Sequence, residues 1–193
     1  RSTGPAVALA TLRKAGISVI TIPEAWTLSD IPAKISSVAV AIGTPRSGQV
    51  LMTQFEQSLP RQLREKKKVR IAFLYLRGGS AIYLVGGQES GADSLIAAIG
   101  ATDVGAAKFS QPFTAMTSEL MVALNPDLIL VMSKGLESVG GVEGLVALPG
   151  VAQTAAGKAK RVISVDDSLL LSFGPRTPDL ITQLSKAVEK VSQ

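Results

Sequence analysis

The chain has 193 residues, 46% of them apolar and only 4% aromatic, enough for one good-sized aliphatic core. It carries a net charge of +5, with a pI near 9.6, and has neither cysteine nor histidine. That excludes a disulfide staple, a His-based catalytic triad and a His-containing zinc site, and no apolar run reaches the ~18 residues that would span a bilayer.

Residues 5–15 read as a helix, with Pro5 in its first turn and Gly16 as its stop. Residues 17–22 (ISVITI) form a β-branched stretch ended by Pro23 and predict a strand. Ser29 is placed to cap a helix reaching residue 42, because Ile31, Ile35, Val38 and Ile42 recur at spacings of three and four. After Gly43-Thr44-Pro45, residues 46–67 predict a long helix whose Leu51, Phe55, Leu59 and Leu63 form one stripe, with a kink near Pro60. Its end is basic: Arg61, Arg64, Lys66, Lys67, Lys68 and Arg70 stand with only Glu65 among them. Such a run can meet nucleic acid, but interleaved aromatics and a glycine-rich phosphate loop are missing. It reads instead as a solvated helix end, with no nucleic-acid partner.

The pattern then changes. Residues 69–76 and 81–85 predict strands, with Gly78-Gly79 and Gly86-Gly87 bounding the second. Ser90 is placed to cap a helix through residue 99, and Thr117 one through residue 124 with Glu119 in its first turn. Residues 128–132 (LILVM) predict a buried strand, followed by a glycine-rich loop at 135–141 and a short helix at 142–148. A strand at 161–165 and a last helix opened by Thr177-Pro178 complete the chain. Strands alternating with helices argue for an α/β unit with a largely parallel sheet over residues 69–193. Residues 44–68 read as a connector helix, and residues 1–43 as the remnant of another unit that cannot close a core alone. The chain begins with Arg1 rather than Met and shows no signal peptide, so it reads as a processed product or a piece of something longer.

The chemistry gathers where the strand at 69–76 runs out. Tyr75 and Arg77 are two residues apart, so both side chains project from one face. A guanidinium beside a phenol favours the phenolate, a hard oxygen ligand for ferric iron, and tyrosine is a known axial ligand of haem. The plainer reading is a tyrosine packed at a strand end beside a solvated arginine. Tyr83, mid-strand, reads as core, and so do the methionines Met52, Met116, Met121 and Met132, which fall at core positions where gap-filling outweighs ligation. Asp166-Asp167 stand at a strand end, but sequence neighbours point apart there, and the pair reads as a turn.

Four stretches carry a resemblance: YLRGG at 75–79, GADSLIAAIGA at 91–101, SKGLESVGGVEGLVALPGVAQT at 133–154 and SFGPRTPDL at 172–180. Together they resemble the haem-binding substrate-binding lipoproteins of bacterial ABC transporters, the HmuT-like group within the helical-backbone (class III) periplasmic binding proteins. The resemblance implies two α/β lobes joined by one long helix with ligand in the cleft between them. This chain would supply the connector and the C-terminal lobe, and a missing N-terminal lobe would complete the cleft. It implies a transported ligand, ferric haem b, with Tyr75 as iron ligand and Arg77 hydrogen-bonded to the phenolate. It also implies docking on an ABC permease through an acidic residue, Glu143 or Glu137 here; the plainer reading of either is a carboxylate in solvent. Arg176 is a candidate partner for a haem propionate, against a structural role tying its loop. The implied location is outside the cytoplasm, periplasmic or lipid-anchored. A corrinoid or ferric siderophore in the same fold is the alternative ligand. An enzyme is disfavoured by the absence of histidine, of a phosphate-binding glycine loop and of a G-x-S-x-G serine elbow.

Overall fold

The computed structural model describes residues 6–59, 68–78 and 82–192. At its centre lies β1 (Arg70–Arg77), flanked by β2 (Ile82–Gly86) and β5 (Leu128–Met132). The sheet runs in the order β4-β2-β1-β5-β6, where β4 is Phe113–Ala115 and β6 is Val162–Val165; β3 (Thr102–Asp103) lies against the start of β1. The pairings β1–β3, β1–β5 and β5–β6 are parallel, whereas β1–β2 and β2–β4 are antiparallel. The sheet is mostly parallel, as expected, but mixed: among the described strands β2 runs against the other five. So few residues separate β1 from β2 that no crossover fits between them, and a short link joins only antiparallel neighbours.

Helix α1 (Ala6–Lys14) adds no described residue to either core, whereas α2 (Ile31–Ala41), α3 (Pro45–Ser58), α4 (Ala92–Ala98), α5 (Ser118–Leu124), α6 (Ser133–Ser138), α7 (Gly141–Val146), α8 (Ala155–Lys158), α9 (Asp167–Ser172) and α10 (Thr177–Ser192) cover both faces of the sheet. Ile71 and Phe73 of β1 share one core with α4 and α10, and with Ile31, Ile35 and Phe55 from α2 and α3. Ala72, Leu74 and Leu76 face the opposite core, built with Met121, Leu124, Leu145 and Val151. Every residue of β5 is buried, as expected of a strand covered on both faces.

Several elements differ from the sequence reading. Residues 17–22 form no strand, and Ile17 and Ile20 stay 52% and 57% exposed. No strand among the described residues pairs with them, and a strand without a partner is not stable. Helix α3 stops at Ser58, and Leu59 is extended (ψ 126°). The residue before a proline avoids the helical region, which is why α3 stops before Pro60. The Pro60 kink and the basic residues from Arg61 to Lys67 lie outside the described residues. Residues 135–141 are only partly loop: α6 occupies the first half, because Gly135 serves close packing. A Cβ there would stand 3.1 Å from the Leu76 carbonyl oxygen. Ser90 does not cap α4; Asp93, in the first turn, accepts the N–H groups of Glu89 (2.9 Å) and Gly91 (3.0 Å). Thr117 caps α5 as expected, accepting from the Leu120 N–H.

Candidate functional site

Strands β1, β5 and β6 run parallel, and their C-terminal ends meet at one edge of the sheet, where open α/β sheets place ligands. Tyr75 and Arg77 stand there on the α4–α10 face, as their spacing demands. The Tyr75 ring is half-buried and rests against Phe113 of β4, with centroids 5.5 Å apart and planes at 60°; Phe113 in turn meets Phe73 edge-on at 6.3 Å. The Arg77 guanidinium carbon lies 4.9 Å from the Tyr75 ring centroid. Its Nη1 donates weakly to the Leu76 carbonyl (3.4 Å) and sits 3.9 Å from Asp167 Oδ2. The guanidinium thus covers the ring face and does not sit at the phenol oxygen.

Gly78 follows directly and explains why the strand must end here. Its N–H donates to Ser138 Oγ (2.9 Å), and a Cβ on it would lie 1.9 Å from the Ser138 carbonyl oxygen. Only glycine lets β1 dock this closely on α6, and that docking fixes where Arg77 leaves the sheet.

The two adjacent carboxylates do point apart, yet they are not a turn. Asp166 caps α9, accepting from the N–H groups of Ser168 (2.9 Å) and Leu169 (3.2 Å). The Ser168 side-chain hydrogen bond is the main cause holding its carboxyl below the usual range, and the Arg176 charge adds a minor part. Asp167 turns the other way, to Arg77 and to the Lys134 N–H (3.0 Å). Asp167 and Phe113 are the site residues that the sequence reading missed.

Tyr83 is set apart from Tyr75. It packs in the core on the opposite face of the sheet, and burial pushes its phenol far above the ordinary range, so it stays protonated. Met121 and Met132 are fully buried, and Met116 nearly so, as core residues. Arg176 is exposed in the turn between α9 and α10, close enough to act on Asp166. Glu143 and Glu137 are exposed on α7 and α6; Glu143 pairs with Lys160 and with no residue of the Tyr75 cluster. Among the described residues no group of three or more acidic side chains could hold a metal ion.

The sequence profile of the periplasmic binding protein family matches residues 7–169. The periplasmic heme-binding protein RhuT from Roseiflexus sp. RS-1 superposes with a TM-score of 0.93 at 37% identity, covering 98% of this chain and 73% of that one. The heme-binding protein HmuT superposes with a TM-score of 0.86 at 30% identity, covering 96% and 62%. HmuT has also been solved with a tyrosine, and with an arginine two positions later, replaced by alanine. An uncharacterized ABC transporter substrate-binding lipoprotein of Bacillus subtilis, YvrC, is 26% identical over 187 residues, 94% of this chain and 57% of that protein. The chain thus spans little more than half the length of this curated relative.

Proposed function

Since the chain belongs to the periplasmic binding protein family and has its fold, we propose that it binds ferric haem outside the cytoplasm and delivers it to an ABC permease. The observation that carries this reading is the pairing of Tyr75 with Arg77. A part-exposed phenol stands at the ligand-binding edge of the sheet with a guanidinium over its ring. The same tyrosine-x-arginine spacing was chosen for substitution in HmuT, and RhuT and HmuT are both named for heme binding.

In this reading the Tyr75 phenolate oxygen ligates the ferric iron of haem b. Arg77 moves from the ring face to donate to that oxygen, a charge-assisted hydrogen bond stronger than a neutral one. Phe113 presents apolar area to the porphyrin, and Arg176 meets a propionate at the rim. The protein performs no bond chemistry: it captures and releases. Glu143 or Glu137 engages the permease, and Glu143 must then exchange Lys160 for its new partner. The division into residues 1–43, a connector at 44–68 and a lobe at 69–193 belongs to the same proposal, with a second lobe closing the cleft. It is supported by where the exposed large apolar side chains lie. Among the described residues, all but Phe113 and Val122 fall between Val7 and Leu51. An apolar groove of about 310 Å³ also opens between α2, α3 and Gly174-Pro175.

The test is a titration with ferric haem followed by visible absorption, on this chain and on Tyr75→Phe. The expected result is a tyrosinate-to-iron charge-transfer band that the substitution removes. A spectrum identical in the two proteins would take the iron ligand away from Tyr75.

A further inference from the structure

Three strand ends converge on one carboxylate. Asp167 opens α9 just after β6. Its Oδ1 accepts the Lys134 N–H where β5 passes into α6 (3.0 Å), and its Oδ2 faces Arg77 Nη1 at the end of β1 (3.9 Å). The Asp167 side chain is only 16% exposed, against 37% for Arg77. One oxygen therefore anchors the acid to backbone, and the other is left to the arginine. At 3.9 Å the contact is an ion pair beyond hydrogen-bond length, so it attracts Arg77 without locking it. On its other side Arg77 covers the ring of Tyr75. The guanidinium lies between a fixed anion and a phenol, and what it gives to one it withholds from the other.

We propose that Asp167 is a positioning residue: it holds Arg77 over the Tyr75 ring and moderates the pull of its charge on a phenolate ligand, keeping haem capture reversible. The inference rests on Tyr75 being the haem ligand. When the phenolate oxygen binds iron, Asp167 competes with it for the same Arg77 N–H groups and offsets the same charge. Asparagine at this position keeps an acceptor for the Lys134 N–H and removes the competing charge.

The test uses Asp167→Asn, Arg77→Ala and the double variant, each titrated with ferric haem, with Asp167→Glu as the rescue. Partly exposed ion pairs set the scale, so Asp167→Asn is expected to bind haem about two- to five-fold more tightly. Its charge-transfer band should move to shorter wavelength, because a stronger donor lowers the energy of the phenolate electrons. Asp167→Glu should restore the original band. With Arg77→Ala already present, Asp167→Asn should change neither affinity nor band. Unchanged or weaker binding in Asp167→Asn, or the same effect without Arg77, overturns the proposal. A Tyr75-dependent band that Asp167→Asn leaves in place sinks this inference alone; a spectrum indifferent to Tyr75→Phe sinks the haem reading and this inference with it.

Discussion

Arg77 caps the face of the Tyr75 ring, its guanidinium carbon 4.9 Å from the ring centroid. Strand geometry puts the two side chains on one face, and the chemistry of the pair depends on the cation being planar. A guanidinium stacks on an aromatic face and presents a rigid fork of donors, whereas an ammonium is a hydrated point charge on a flexible stem. Arg77→Ala is expected to weaken haem binding about ten-fold, the scale of one charged hydrogen bond. Arg77→Lys should recover less than half of that loss on a logarithmic scale. Dissociation constants from absorption titrations decide it: a lysine variant as tight as the wild type would show that charge alone matters.

Phe113 packs against the Tyr75 ring, yet it is itself exposed at the surface. Phe113→Ala should therefore cost little stability, about 1 kcal/mol, since a part-exposed ring loses only part of its burial energy. It should still weaken haem binding several-fold by freeing the Tyr75 ring and removing apolar contact area. Tyr83→Phe is the control: its phenol lies in the opposite core, so the haem spectrum should not change. Thermal melts beside haem titrations separate the two effects. A Phe113→Ala variant that loses stability and haem binding in proportion would point to general loosening.

What the sequence made legible was whatever is periodic or rigidly spaced. The fully apolar run of β5 was readable to the residue, and i, i+2 spacing alone placed Tyr75 beside Arg77. The remainder depended on contacts distant in sequence. β3 and β4 have two and three residues, too few for any period to show, so Phe113 gave no signal. Asp167 was hidden by its neighbour, because the rule that adjacent side chains diverge is true here and still lets one of them reach the site. The glycines at 135–141 suggested a loop, but Gly135 is a packing glycine inside α6. The β-branched run at 17–22 had strand propensity and no strand among the described residues to pair with.

Gly78 offers a test of how β1 presents its end. A methyl group there would lie 1.9 Å from the Ser138 carbonyl oxygen, so α6 or the strand end must shift. Gly78→Ala is expected to destabilise the fold by about 2–3 kcal/mol, in the range of overpacking. It should also displace Arg77, which immediately precedes it. Denaturant unfolding gives the first number and the haem spectrum the second. An alanine variant with wild-type stability would mean that the approach of β1 to α6 is looser than 1.9 Å implies.

Asp103 connects stability to pH. Its Oδ1 accepts the N–H groups of Gly105 (2.8 Å) and Ala106 (3.0 Å), while Oδ2 is buried with no hydrogen-bond partner among the described residues. Burial, with a smaller push from the nearby Asp93 charge, outweighs the two hydrogen bonds and leaves its carboxyl pushed up to about 6. In the unfolded chain the group returns to about 3.9. Between these values the folded state binds more protons than the unfolded one. Stability from this group is therefore complete in acid and falls as pH rises from about 4 through about 6, by about 2–3 kcal/mol. Asp103→Asn keeps an acceptor for both N–H groups and removes the buried charge. It should raise the melting temperature at pH 7 and lose that advantage by pH 4. Parallel melts across that range test both limits: an equal gain at pH 4 would assign the effect to neutral packing, and no gain at pH 7 would mean that the folded state meets the ionised carboxylate at no cost.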